Sequence, residues 1–143
     1  MEVSEVMHVC TIVDAAQSVS EAAKLMDEHL ASAVLVRDSG LVKGIVTERD
    51  ILRKVVASKR NPDATTVAEI MSSPLITIDE NSSLYEASEL MDRENIRRVV
   101  VVNAGAIVGI VNTTTVSKNL RYLIGREKLF VRPEYQLTEL GFF

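Results

Sequence analysis

The chain has little of several things, and each scarcity excludes something. It has 143 residues, no tryptophan, one cysteine, three prolines and six glycines, with aromatics at 4%. A single cysteine, Cys10, rules out a disulfide framework within the chain, and the expected setting is reducing and cytoplasmic. No run of about 18 uncharged apolar residues occurs, so no membrane-spanning helix is expected. The first residues, Met1-Glu2-Val3-Ser4-Glu5, are acidic and lack the basic start and apolar run of a secretory signal. Twenty acidic against sixteen basic residues give a net charge of -4, which argues against a general nucleic-acid binder. Five of the six aromatics, Tyr122, Phe130, Tyr135, Phe142 and Phe143, lie near the C-terminus, leaving only Tyr85 before them. The core of the first 116 residues must therefore be aliphatic.

What the chain has is an internal repeat. Val3-Ser4-Glu5-Val6-Met7 matches Val67-Ala68-Glu69-Ile70-Met71 at an offset of 64, and an extra residue near Ser72-Ser73-Pro74 shifts it to 65. From there Asp14 pairs with Asp79, Leu25-Met26-Asp27 with Leu90-Met91-Asp92, and Gly44-Ile45-Val46 with Gly109-Ile110-Val111. Between Asp14 and Val46, 13 of 33 positions are identical without a gap. A fixed period at this level marks a duplicated structural unit.

Both units read alike. Ser18-Val19-Ser20-Glu21 and Ser83-Leu84-Tyr85-Glu86 have the form of capping boxes, each opening a helix whose apolar residues recur at helical spacing. The first such helix is expected at 19–30. Apolar, largely β-branched runs follow at Ala33 to Val36 and Leu41 to Val46, and at Val99 to Val102 and Ala106 to Val111. Turns at Asp38-Ser39-Gly40 and Asn103-Ala104-Gly105 join them. A second helix is expected from Glu48 to about Ser58, and from Thr113 to about Ile124. Leading strands are expected at Cys10 to Val13 and Leu75 to Ile78. The order is β-α-β-β-α, twice: residues 1–58 as one repeat, 59–66 as linker, 67–124 as the second repeat and 125–143 as a tail. The expected class is mixed α/β, with two repeats packed by a pseudo-twofold, since one unit alone cannot bury its sheet and helices.

Thr47-Glu48-Arg49-Asp50 reads as a helix start, with Thr47 as cap and Asp50 three residues in, an acid at the positive end of the helix. A carboxylate there could also accept bonds from two vicinal hydroxyls of a ribose. In the second repeat Asn112 can cap, but Thr115 stands where Asp50 stands, and a hydroxyl cannot accept as a carboxylate does. Arg97 and Arg98 precede a strand where the first repeat has Ser32 and Ala33. They read either as solvated cations or as a phosphate site, for which the guanidinium fork is suited.

Val-x-Glu-Val-Met, a helix bearing Glu-Ala-x-x-Leu-Met, and Gly-Ile-Val-Thr-Glu-Arg-Asp-Ile-Leu, all in this order and duplicated, resemble the cystathionine-β-synthase (CBS) domain. The tandem pair resembles a Bateman module of the stand-alone prokaryotic or archaeal type, over residues 1 to about 124. The resemblance implies a regulatory sensor rather than a catalyst. It implies adenosine-containing ligands (AMP, ADP or ATP, with S-adenosylmethionine or NAD as further options) bound in clefts between the repeats. It also implies a homodimer acting on a target protein that the sequence does not name. In the resembling family the Thr-x-x-Asp motif holds ribose, and basic residues at the position of Arg97 and Arg98 reach phosphates. The main cleft is thus expected to draw on Ile45, Thr47, Arg49, Asp50, Leu75, Ile76, Ile96, Arg97 and Arg98, with Ile45, Leu75 and Ile76 against the adenine. A weaker cleft would take Cys10, Thr11, Ala31, Ser32, Ala33, Ile110, Asn112 and Thr115. Lacking an arginine and a ribose carboxylate, it suits a nucleoside or nothing.

The competing expectation is an interaction scaffold with degenerate clefts. It would act through its dimer surface and its tail, where Lys118, Arg121, Arg126, Lys128 and Arg132 face Glu127 alone. An enzyme is not expected. His8 and Cys10 could be imagined as a metal pair, but zinc needs three or four ligands and no second cluster exists. His29 is expected to face solvent, and no phosphate-cradling glycine loop occurs. No metal and no cofactor are expected.

Overall fold

The structure, a computed structural model, describes residues 1–121. The expected tail, 125–143, and the end of the last helix lie outside the described residues. The chain divides into two compact units. One comprises Val9–Ile76, and the other Met1–His8 with the residues from Thr77 on. They are called here the Asp50 unit and the Thr115 unit.

The Asp50 unit runs β1 (Ile12–Asp14), α1 (Val19–His29), β2 (Ala33–Asp38), β3 (Leu41–Thr47), α2 (Glu48–Ile51) and a short α3 (Val67–Ile70). The Thr115 unit runs β4 (Thr77–Asp79), α4 (Leu84–Glu94), β5 (Arg98–Asn103), β6 (Ala106–Asn112) and α5 (Thr113–Lys118). A single 3-10 turn, Val3–Glu5, stands in it where α3 stands in its counterpart. Each sheet has three strands, in the orders β1-β2-β3 and β4-β5-β6, with the first pair parallel and the second antiparallel. The class is mixed α/β, as expected.

Local chemistry accounts for most of these elements. Ser18 and Ser83 accept from the amides of Glu21 and Glu86, and so cap α1 and α4. Leu30 and Asn95 end those helices in the left-handed conformation, with φ 52° and 54°. The hairpins turn through Ser39-Gly40 and Ala104-Gly105. All four residues have positive φ, the pattern of the two-residue turn whose twist matches the flanking strands. The core of the Asp50 unit is aliphatic, with Val13, Val19, Ala22, Met26, Val34, Val36, Val46, Val55, Val67 and Ile70 buried together.

Several elements differ from expectation. The leading strands begin later, at Ile12 and Thr77, so Cys10, Leu75 and Ile76 precede them. The helix expected from Glu48 to about Ser58 keeps α spacing only to Ile51 and widens to a π-helix over Leu52–Val56. Residues 59–66, the expected linker, are pinned to α1. The carbonyls of Thr65 and Pro62 accept from the first amides of α1, Val19 and Ser20, which have no partner inside the helix. In the Thr115 unit the Met1 carbonyl does this for Leu84. The compact units are also offset from the sequence repeats, because each leading segment folds with the hairpin of the other repeat.

Candidate functional site

Thr47 ends β3 and caps α2. Its hydroxyl accepts from the Asp50 amide at 3.2 Å. The Asp50 carboxylate reaches back, its Oδ2 accepting from the Thr47 amide at 2.9 Å and from the Thr47 hydroxyl at 3.1 Å. The other oxygen, Oδ1, lies 3.1 Å from the Lys54 ammonium, which also donates to the Ile70 carbonyl at 2.8 Å. The capping reading of this motif is therefore observed directly. A carboxylate has about four acceptor positions, and three are taken. A ribose diol would have to share Oδ1 with Lys54.

Two residues upstream, Ile45 exchanges backbone hydrogen bonds with Ser72, at 3.0 and 2.9 Å. This ties β3 to the segment leading into β4. Gly44 permits the approach: a Cβ there would lie 2.5 Å from Met71 Sδ and 3.0 Å from the Ser72 carbonyl. The Asp50 unit thus gathers Ile45, Thr47 and Asp50 at one end of β3, with the segment carrying Leu75 and Ile76 bridged to it. Leu75 and Ile76 are half-buried and Arg49 is exposed.

The remaining members of the main set, Ile96, Arg97 and Arg98, belong to the Thr115 unit. Arg98 opens β5, is half-buried and pairs in register with Asn112. Arg97 is exposed, and its carbonyl accepts from the Thr113 amide at 3.0 Å. Ser32 does the same for Glu48 at 3.1 Å, so the two positions are structural counterparts, as the repeat implied.

The weaker set divides likewise. Cys10, Thr11, Ala31, Ser32 and Ala33 lie in the Asp50 unit. Burial pushes the Cys10 thiol above its ordinary pKa. The Thr11 hydroxyl lies 3.2 Å from Nδ1 of His29, which is exposed as expected. In the Thr115 unit, Asn112 Oδ1 accepts from the Thr115 amide at 2.9 Å and from its hydroxyl at 3.2 Å. His8 Nε2 lies 3.0 Å from the same hydroxyl oxygen. Thr115 is buried, at 4% exposure.

Two residues bear on the site that the motifs did not single out. Lys54 binds the Asp50 carboxylate, and Asn119 donates to the Thr115 carbonyl at 2.8 Å. The repeat itself carried the signal. At an offset of 65, Lys54 aligns with Asn119 just as Asp50 aligns with Thr115, so an acid–base pair four residues apart is present once and lost once. Among the described residues, no group of three or more His, Cys, Asp and Glu side chains converges to hold a metal ion.

A family model for the CBS domain matches the chain twice, over residues 3–57 and 67–122. The chain belongs to the CBS-domain family. Its two CBS domains correspond to the two sequence repeats. The CBS domain-containing protein YhcV of Bacillus subtilis is 41% identical over 95 residues, covering 66% of this chain and 67% of that protein. A crystal structure of a conserved protein from Pyrococcus horikoshii aligns with a TM-score of 0.77 at 30% identity, over 84% of this chain and 92% of that one. A hexameric CBS-CP12 protein from bloom-forming cyanobacteria aligns with a TM-score of 0.78 at 27% identity, over 86% and 74%. Among the described residues, no helix is long and apolar enough to cross a membrane.

Proposed function

We propose that this CBS pair is a regulatory module that binds an adenosine-containing nucleotide, AMP, ADP or ATP, through Asp50. The observation that carries the reading is the Thr47–Asp50 box at the end of β3, with Ile45 bridged to the segment that leads to Leu75 and Ile76. A carboxylate able to accept from a ribose, near apolar and backbone groups suited to a purine, supports the reading. By the resemblance, Arg97 and Arg98 are the proposed phosphate contacts. The role is sensory rather than catalytic: ligand binding favours one state of the module, and a target protein reads that state.

The test is calorimetry with AMP, ADP, ATP, NAD and S-adenosylmethionine, repeated on Asp50→Ala. The expected result is a saturable heat with at least one adenylate that disappears in the variant. Silence with all five ligands, or equal binding by the variant, removes the reading. It would leave the scaffold reading, in which the module acts through its surfaces alone.

The module is further proposed to self-associate, as a homodimer. Leu52 and Val56, one helical turn apart, are 60% and 63% exposed, an apolar stripe at the end of the Asp50 helix. The hexameric cyanobacterial relative is consistent with a self-associating fold. Light scattering on the wild type and on Leu52→Glu/Val56→Glu is the check, with a monomeric wild type as the contrary result.

A further inference from the structure

The two units differ at one structural address, and the differences are concerted. In the Asp50 unit the cap is Thr47, the third helical residue is Asp50, its partner one turn on is Lys54, and the residue bridged to β3 is Ser72. The repeat offsets put Asn112, Thr115, Asn119 and His8 at the same four places. The bridging geometry confirms the last pair: His8 exchanges backbone bonds with Ile110 at 2.8 and 3.0 Å, as Ser72 does with Ile45. Gly109 meets Met7 and the His8 carbonyl as Gly44 meets Met71 and Ser72.

What fills the address differs in kind. In the Asp50 unit it is a charged pair with acceptor capacity left on Oδ1. In the Thr115 unit it is a hydrogen-bonded chain without a carboxylate. The Thr115 hydroxyl has one proton, and it is directed at Asn112 Oδ1, 3.2 Å away. The Nε2–H form of the imidazole, 3.0 Å from the same oxygen, is the one compatible with the hydroxyl proton lying on Asn112. The hydroxyl thereby has a donor and an acceptor of its own, and its residue is buried. The hydroxyl is left with one of its two acceptor positions, too few to accept from both hydroxyls of a diol.

We infer that His8 closes the Thr115 unit to nucleotide, so that each chain takes up one adenylate instead of two. This rests on the proposed function and fixes its stoichiometry. His8 is a positioning residue here. It acts through Thr115, completing the bonds of the group that replaced the ribose acceptor.

The experiment is calorimetry of the full chain with AMP and with adenosine, the latter needing no phosphate partner. The wild type is expected to bind one equivalent per chain, and Asp50→Ala none. The transplant His8→Ser/Asn112→Thr/Thr115→Asp/Asn119→Lys, made in the Asp50→Ala background, is expected to restore one equivalent of adenosine. Two equivalents in the wild type, one retained by Asp50→Ala, or a folded transplant that stays silent would overturn the inference. A readout independent of ligand guards against a transplant that fails to fold, and against a wild type that binds nothing. In imidazole NMR of the wild type, the His8 Nε2 proton is expected to exchange slowly and to sharpen only while Thr115 is present. A His8 ring exchanging like that of His29, and indifferent to Thr115→Val, would sink the closure whatever becomes of the proposed function.

Discussion

Lys54 and Asp50 stand one helical turn apart with 3.1 Å between ammonium and carboxylate, and the same ammonium holds the carbonyl of Ile70. The pair joins the candidate ribose acceptor to α3. Lys54 is 44% exposed, so the ion pair contributes at most about 1 kcal/mol. A ribose hydroxyl bonding to a carboxylate is of similar or greater strength, about 1.5–3 kcal/mol, so ligand can displace the lysine from Oδ1. Lys54→Met is expected to tighten adenosine binding by up to roughly fivefold while lowering the melting temperature through loss of the Ile70 bond. Calorimetry and thermal melts read the two effects separately. Weaker adenosine binding would mean that Lys54 contacts the ligand itself.

Arg97 is the test of the phosphate contact. A guanidinium–phosphate bond is charge-assisted and contributes about 1.5–3 kcal/mol. Arg97→Ala is therefore expected to weaken AMP or ATP by roughly tenfold or more and to leave adenosine unchanged. Titrations with the nucleoside and the nucleotide side by side decide it; an equal loss for both would remove the phosphate role.

Gly44 is required by contact, not by backbone angle. A methyl group at this position meets a flexible Met71 sulfur and an inflexible Ser72 carbonyl. Gly44→Ala is expected to cost about 1–3 kcal/mol by overpacking, seen as a fall of several degrees in melting temperature. Adding Met71→Ala should recover only part of this, because the carbonyl stays. Full recovery would show that the bridge between β3 and Ser72 is not the constraint.

Glu69 reaches back to the start of α3. The Thr66 amide donates to its carboxylate at 2.6 Å and the Thr66 hydroxyl at 3.1 Å, with Arg60 at 3.0 Å beyond them. These bonds, the amide's first, hold its pKa below the ordinary value of 4.5. A folded pKa below the unfolded one means stability that is fully present above about pH 4.5 and lost as pH falls through the lower, folded value. Glu69→Gln should therefore flatten the acid limb of the stability–pH curve below that point and leave its neutral region parallel. Unchanged acid sensitivity in the variant would show that other carboxylates control it.

Much of this fold is legible in the sequence where the cause is local. Ser18 and Glu21 announce α1 because a cap and its partner sit three residues apart, and Ser39-Gly40 announces a hairpin because few residue pairs accept two positive φ angles. The leading strands were less legible. Leu75 and Ile76 have strand character, yet pairing starts at Thr77, where β5 offers a partner at Val100. The pinning of Thr65 is invisible to any local pattern, since it answers unpaired amides at the start of α1. At the candidate site, Thr47 and Asp50 are readable as a motif. The plainness of Lys54, one charge among many on a helix, hid its contact with Asp50. His8 reads in sequence as a neighbour of Cys10, and its bond to Thr115 spans more than a hundred residues of chain.

The offset between sequence repeats and compact units bears on how the molecule can be made and cut. Met1–His8 are synthesised well before Ser82 and Ile110 and cannot settle until these are made, because their amides and carbonyls bond there. A fragment excised at the repeat boundary, residues 1–58, would carry eight residues whose partners are missing. It would also lack Val67–Ile76, which complete its own β3 side. Among the described residues, the piece whose backbone bonds all close within itself is Val9–Ile76, so this segment, not the sequence repeat, is the one to excise.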